Sequence, residues 1–117
     1  MSLFEKYGGI TTVQNLVRDF YQDVIVSPTL SPYFKNTDLE VLIGHQVDLF
    51  CFVMGGPCSF DLDRLRTAHM GLKINAELFA EAATLLQNTL EDHQVEADDI
   101  RQVMETVAST AVLIVQQ

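Results

Sequence analysis

The chain has 117 residues (13.1 kDa), of which 48% are hydrophobic and 20% charged, with a formal net charge of −9. That length and apolar fraction exclude a disordered chain and fit one compact domain, taken as residues 1–117. A pI of about 4.5 excludes a nucleic-acid partner and an anionic membrane surface, since both need clustered Lys and Arg.

In chain order, the opening Met1-Ser2-Leu3-Phe4-Glu5-Lys6 lacks the basic and apolar zones of a secretion signal. Helical periodicity then begins. Val13, Leu16, Val17, Phe20 and Val24 share one face of a helix predicted over 12–26, capped by Thr11 or Thr12. Ser27-Pro28 ends it, and Pro28 to Phe34 leaves room for only a turn or two. Asp38 caps a second helix running to Met54, with Leu42, Gln46, Leu49, Phe50 and Val53 along one face. Gly55-Gly56-Pro57 stops it. Around this stop stand the chain's two cysteines, Cys51 and Cys58, which match no CxxC motif and are too few for a disulfide framework. Free, mostly buried thiols in a reducing cytoplasm are expected. A short helix over 63–70 precedes Gly71. Asn75 caps a long helix to Leu90 with Leu78, Phe79, Ala82, Leu85 and Leu86 as its stripe. A last helix is predicted over 98–115 on Ile100, Val103, Met104, Val107, Ala111 and Ile114. No apolar run approaches the ~20 residues of a membrane span. No stretch alternates as a strand does, so the fold expected is all-α, with four main helices and short ones between.

Chemistry has few places to reside. No GxSxG elbow, P-loop or HExxH occurs, and the histidines stand far apart at His45, His69 and His93. Two polar residues interrupt apolar stripes. Gln46 lies among Leu42, Leu49 and Phe50, and a buried amide without partners costs roughly 1–3 kcal/mol. Tyr21 is a candidate partner, and a Tyr–Gln bond that only fixes helix packing is one reading of the pair. His69 closes a short segment just before Gly71. By spacing alone it reads as structural or exposed more readily than as a ligand.

These residues, taken in order, resemble the group I truncated haemoglobins, small globins with a two-over-two helical sandwich around a haem. The similar landmarks are Phe4-Glu5-Lys6-Tyr7-Gly8-Gly9, Phe20-Tyr21, Pro32-Tyr33-Phe34 followed by Asp38, His45-Gln46, Gly55-Gly56-Pro57, and Ala68-His69 with Gly71 and Phe79. Each is common alone; their order and spacing make the resemblance specific. It implies His69 as the proximal iron ligand, its other ring nitrogen donating to a carbonyl. It implies Tyr21 and Gln46 as distal hydrogen-bond donors. Phe34, Leu42, Leu49 and Phe50 would line the distal side, with Phe50 at a ligand tunnel. Leu72, Phe79 and Leu86 would line the proximal side. Arg66 and Lys73 are the candidate cations for the haem propionates, or else ordinary surface charges.

The chain departs from the family at Leu42, where relatives often carry a polar residue. His45 either faces solvent near a propionate or swings in as a sixth iron ligand. No histidine follows His93, so non-covalent haem b is expected. The implied function is binding of O₂, NO and CO, with NO dioxygenation as a possible activity. No flavin or nicotinamide module is visible, so turnover needs a separate reductase. A cytoplasmic monomer is expected. The alternatives are a gas sensor, a six-coordinate redox haem protein, and a cofactor-free helical interaction domain in which His69 and Gln46 are structural.

Overall fold

The computed structural model describes residues 2–58, 62–69 and 74–115. Among them are seven α-helices, one 3₁₀ turn and no strand. Helix α1 (Leu3–Lys6) is capped by the Ser2 hydroxyl, which accepts from the Glu5 N–H at 3.2 Å. Helix α2 (Ile10–Val26) begins ahead of its expected start, and neither Thr11 nor Thr12 caps it. Gly8 and Gly9 instead take φ of 111° and 77°, a region closed to most side chains, and so reverse the chain from α1 into α2. The Thr12 hydroxyl is spent on the Tyr7 carbonyl. The buried face of α2 is the expected stripe with Tyr21 added.

A 3₁₀ turn (Ser31–Phe34) leads to α3 (Leu39–Val53). Asp38 caps α3 as expected, its carboxylate accepting from the Glu40 and Val41 N–H groups at 3.0 and 3.3 Å. The most buried residues of α3, however, are Ile43, Val47, Phe50 and Cys51, whereas Leu42, Gln46, Leu49 and Val53 are half-buried. Neighbouring residues point about 100° apart round a helix, so α3 has two working faces where the sequence suggests one.

The end of α3 corrects the cysteine expectation. Gly56 N–H donates to the Cys51 carbonyl at 2.8 Å, and Gly55 N–H to the Phe52 carbonyl at 3.0 Å, with Gly55 at φ 79°. This is a Schellman ending. It folds the following residues back along the last turn, leaving the Cys51 and Cys58 Cα atoms 5.9 Å apart and joined by a disulfide. Such a separation is normal for a bridge, and linear spacing gave no hint of the reversal.

Helix α4 (Leu62–His69) ends where the described residues break off; expected Met70 and Gly71 lie outside them. Helix α5 (Ala76–Asp92) is capped by Asn75, which accepts from the Leu78 N–H at 2.8 Å. The single last helix expected from the sequence is two: α6 (Ala97–Ser109) and α7 (Ala111–Ile114). The Ser109 and Thr110 hydroxyls donate back to the Thr106 and Val107 carbonyls at 2.5 and 2.7 Å, an alternative to continuing the helix.

Helix α2 packs on α3 and α5, α5 on α6, and α4 on α7. The α2–α3 pair therefore lies over the α5–α6 pair, a two-over-two sandwich. Val13, Leu16 and Val17 of α2, Val47 of α3, Leu90 of α5 and Val103 of α6 contribute to its core.

A polar clamp ties α1 to α6. Lys6 Nζ lies 2.6 Å from Asp99 Oδ2, and the Tyr7 hydroxyl donates to the same carboxylate at 2.5 Å while accepting from the Glu96 N–H at 3.0 Å. The Lys6 and Tyr7 hydrogen bonds hold the Asp99 carboxyl below its ordinary value of 3.8. A depressed carboxyl stabilises the fold fully above its unfolded pKa and loses that contribution as pH falls through the folded one. Asp99→Asn should lower the melting temperature at neutral pH. It should also flatten the loss on acidification below 3.8, as followed by circular dichroism.

Candidate functional site

Between the two layers lies a cavity of about 200 Å³, partly open to solvent. Protein cores pack without voids much larger than a water, so space of this size between packed helices is a candidate binding site. The room fits a large apolar guest.

Every layer contributes to the wall. Phe20, Tyr21 and Val24 come from α2, and Leu30, Tyr33 and Phe34 from the turn that follows. Gln46, Leu49, Phe50 and Val53 come from α3, and Leu65 from α4. Leu78, Phe79, Ala82, Ala83 and Leu86 come from α5, and Val107, Thr110 and Ile114 from the C-terminal helices, with Ile74 ahead of α5. Edge-to-face contacts set the ring of Tyr21, 5.0 Å from Phe20 and 5.9 Å from Phe34 between centroids.

The polar members decide what the room can recognise. The Thr110 hydroxyl is committed to the Val107 carbonyl. Tyr21, only 7% exposed, and Gln46 have no hydrogen-bond partner among the described residues, and neither bonds the other. The reading in which the pair merely pins two helices therefore lacks its bond. Burial pushes the Tyr21 phenol well above its ordinary value of 10.0, so it stays a protonated donor at any physiological pH. Two donors on a mostly apolar wall suit a guest that presents an acceptor.

The residues expected from the sequence separate into three groups. Tyr21, Phe34, Gln46, Leu49, Phe50, Phe79 and Leu86 meet at the cavity. Leu42 is half-buried against the core and outside the lining, and His45 and Arg66 are exposed and also outside it. Leu72 and Lys73 lie outside the described residues, as does the side chain of His69. The backbone of His69 closes α4 one helical turn after Leu65, which is itself a wall residue. Sequence reasoning did not assign Leu30, Tyr33, Leu65, Ile74, Ala83 or Thr110 to the wall, and read Phe20, Val24, Val53, Leu78, Ala82, Val107 and Ile114 only as apolar stripe. Thr110 falls between Val107 and Ile114 at the same helical spacing. Among the described residues no group of three His, Cys, Asp or Glu side chains forms a cage for a bare metal ion.

The sequence profile of the family described as bacterial-like globin matches residues 2–116. A group 1 truncated hemoglobin of Chlamydomonas moewusii is 34% identical over 93% of this chain, which spans 65% of that protein's length. One from Synechocystis sp. is 30% identical over 94% of this chain and 92% of its own. The fold superposes on the Fe(III) form of the truncated hemoglobin from Tetrahymena pyriformis with a TM-score of 0.92, at 24% identity and covering 100% of both chains. On the 2/2 hemoglobin of Synechococcus sp., solved in the cyanomet state with covalently attached heme, the TM-score is 0.85 at 30% identity, over 92% of this chain and 91% of that one.

Filling the room from its wall tests whether it is open space. Ala83→Leu should raise the stability of the ligand-free protein by about 1 kcal/mol, read as melting temperature. It should also reduce uptake of the fluorescent apolar probe ANS. A lowered melting temperature with probe uptake unchanged would mean that Ala83 does not border free volume.

Proposed function

The chain belongs to the bacterial-like globin family, among the group 1 truncated haemoglobins, and from that premise we propose that its cavity holds haem and serves reversible binding of O₂, with NO and CO as further ligands. The observation that carries the proposal is a mostly apolar wall that includes Tyr21 and Gln46, neither with a hydrogen-bond partner among the described residues. Haem, when bound, supplies an iron that takes up a small gas. His69 would hold that iron from the proximal side as its protein ligand. Phe34, Leu49 and Phe50 would enclose the distal side with Leu42 behind them, and Leu72, Phe79 and Leu86 the proximal side.

Arg66 and Lys73 would meet the propionates. Support for Arg66 is that it has no ion pair among the described residues, whereas Lys6, Arg18 and Arg101 are each paired with carboxylates. Exposed Lys35, next to Phe34 and likewise without an ion pair among the described residues, joins them as a candidate. Because His45 is exposed and outside the cavity wall, we place it at the solvent side and not on the iron. The two distal donors oppose release of a gas that draws negative charge, O₂ more than CO. Retention of this kind suits consumption of O₂, in which O₂, NO and one electron give nitrate, with a separate reductase as electron source. We place the protein in the cytoplasm as a monomer; among the described residues no helix is long and apolar enough to cross a membrane.

Haemin added to the purified protein should give an intense Soret band that His69→Ala weakens or shifts. A stable helical protein that stays colourless would favour the cofactor-free interaction domain. Tyr21→Phe and Gln46→Leu should each speed O₂ dissociation roughly five- to thirtyfold, the equivalent of about 1–2 kcal/mol, and CO dissociation less. Unchanged O₂ rates in both variants would remove the distal donors from the proposal. The span 97–114 contains no histidine to bond a haem vinyl, so acidified butanone should extract all pigment. Pigment that stays with the protein would overturn the non-covalent assignment.

A further inference from the structure

We propose that the Cys51–Cys58 pair is a site of reversible thiol–disulfide exchange, opened by a dithiol that attacks Cys58 and expels Cys51. The pair is unequal. Cys51 has no solvent exposure and sits in the last turns of α3, whereas Cys58 is partly exposed in the non-helical stretch after Gly56. Access therefore selects Cys58 as the sulfur attacked.

The surrounding backbone does not need the bridge. Gly56 N–H to the Cys51 carbonyl at 2.8 Å, Gly55 N–H to the Phe52 carbonyl at 3.0 Å and Phe4 N–H to the Met54 carbonyl at 2.9 Å hold the turn independently. Phe4 and the Cys51 sulfur also lie so close to Gly56 that a Cβ there would meet both at 2.7 Å. After reduction those hydrogen bonds still hold the chain as far as Gly56, so only Pro57 separates the fixed turn from Cys58 and the two sulfurs stay on a short tether. Opening and closing are thus both possible within the folded state. The same site then serves a reducing compartment as a dithiol and an oxidising one as a bridge.

The step balances as follows. A thiolate of the attacking dithiol bonds to Cys58 Sγ, and the Cys51–Cys58 bond breaks with its electron pair going to Cys51 Sγ, which takes a proton. The second thiol of the reagent then attacks its own sulfur in the mixed disulfide and releases Cys58. Two electrons and two protons pass to the protein, and the dithiol becomes a disulfide. Cys51, with no solvent exposure, is once reduced the thiol that a reagent reaches more slowly.

The test uses the whole protein in dithiothreitol redox buffers, with mass spectrometry after alkylation by iodoacetamide and circular dichroism at each buffer ratio. Air-oxidised protein should carry the bridge and lose it in a single two-electron transition with its helical signal intact. In reduced wild-type protein, Cys58 should alkylate about tenfold or more faster than Cys51. Because the wild type supplies this comparison, a misfolded Cys51→Ser variant would not blur it. Reduction only where the helical signal collapses, equal or inverted alkylation, or no bridge in air would each overturn the proposal. None of these readouts requires haem.

Discussion

Two hydrogen-bond donors, the Tyr21 phenol and the Gln46 carboxamide, border a mostly apolar room without an acceptor of their own among the described residues. A guest that occupies the room and offers an acceptor would bond both donors and bury the apolar wall around them, so cavity and donors have a common explanation. The rest of the fold keeps that room open. Four long helices in two layers make the walls, and Phe20 and Phe34 brace the Tyr21 ring on its edges.

How α3 is built explains why this works with few residues. One face, Ile43, Val47 and Cys51, locks against the core and fixes the helix. The other, Gln46, Leu49 and Val53, is left for the guest, with Phe50 at the junction contacting both. Helix α5 divides likewise, with Leu90 in the core and Leu78, Phe79 and Ala82 on the cavity. In both helices part of the stripe expected to be buried, Leu49 and Val53 in α3 and Leu78, Phe79 and Ala82 in α5, is half-buried because it faces the cavity.

That division marks what a sequence can and cannot convey. Helix α2 was legible in its periodicity because one continuous stripe serves both the core, through Val13, Leu16 and Val17, and the cavity, through Phe20 and Val24. The caps Asp38 and Asn75 were legible because a cap is a local hydrogen bond. Tyr21 and Gln46 stood out as polar residues at apolar positions. The break at Thr110 was not legible, since the apolar spacing runs unaltered through it while two hydroxyls turn the backbone. Nor were Val107, Thr110 and Ile114 as wall residues. Their place depends on the C-terminal helices closing over α4, a contact between distant parts of the chain.

The cysteine pair is the clearest instance of the same limit. Seven residues of separation describe a distance along the chain, and a Schellman turn converts it into adjacency in space. The residues that make the turn are the glycines first read only as a helix stop. Gly55 supplies the positive φ, and Gly56 supplies the absence of a side chain where Phe4 and the Cys51 sulfur press in. A stop signal and a crossing point are thus one feature, and the second meaning appears only when the N-terminal helix packs against it. Since Phe50 lies one residue before Cys51 and Val53 two after, the end of α3 that this crossing fixes is also the end that walls the cavity.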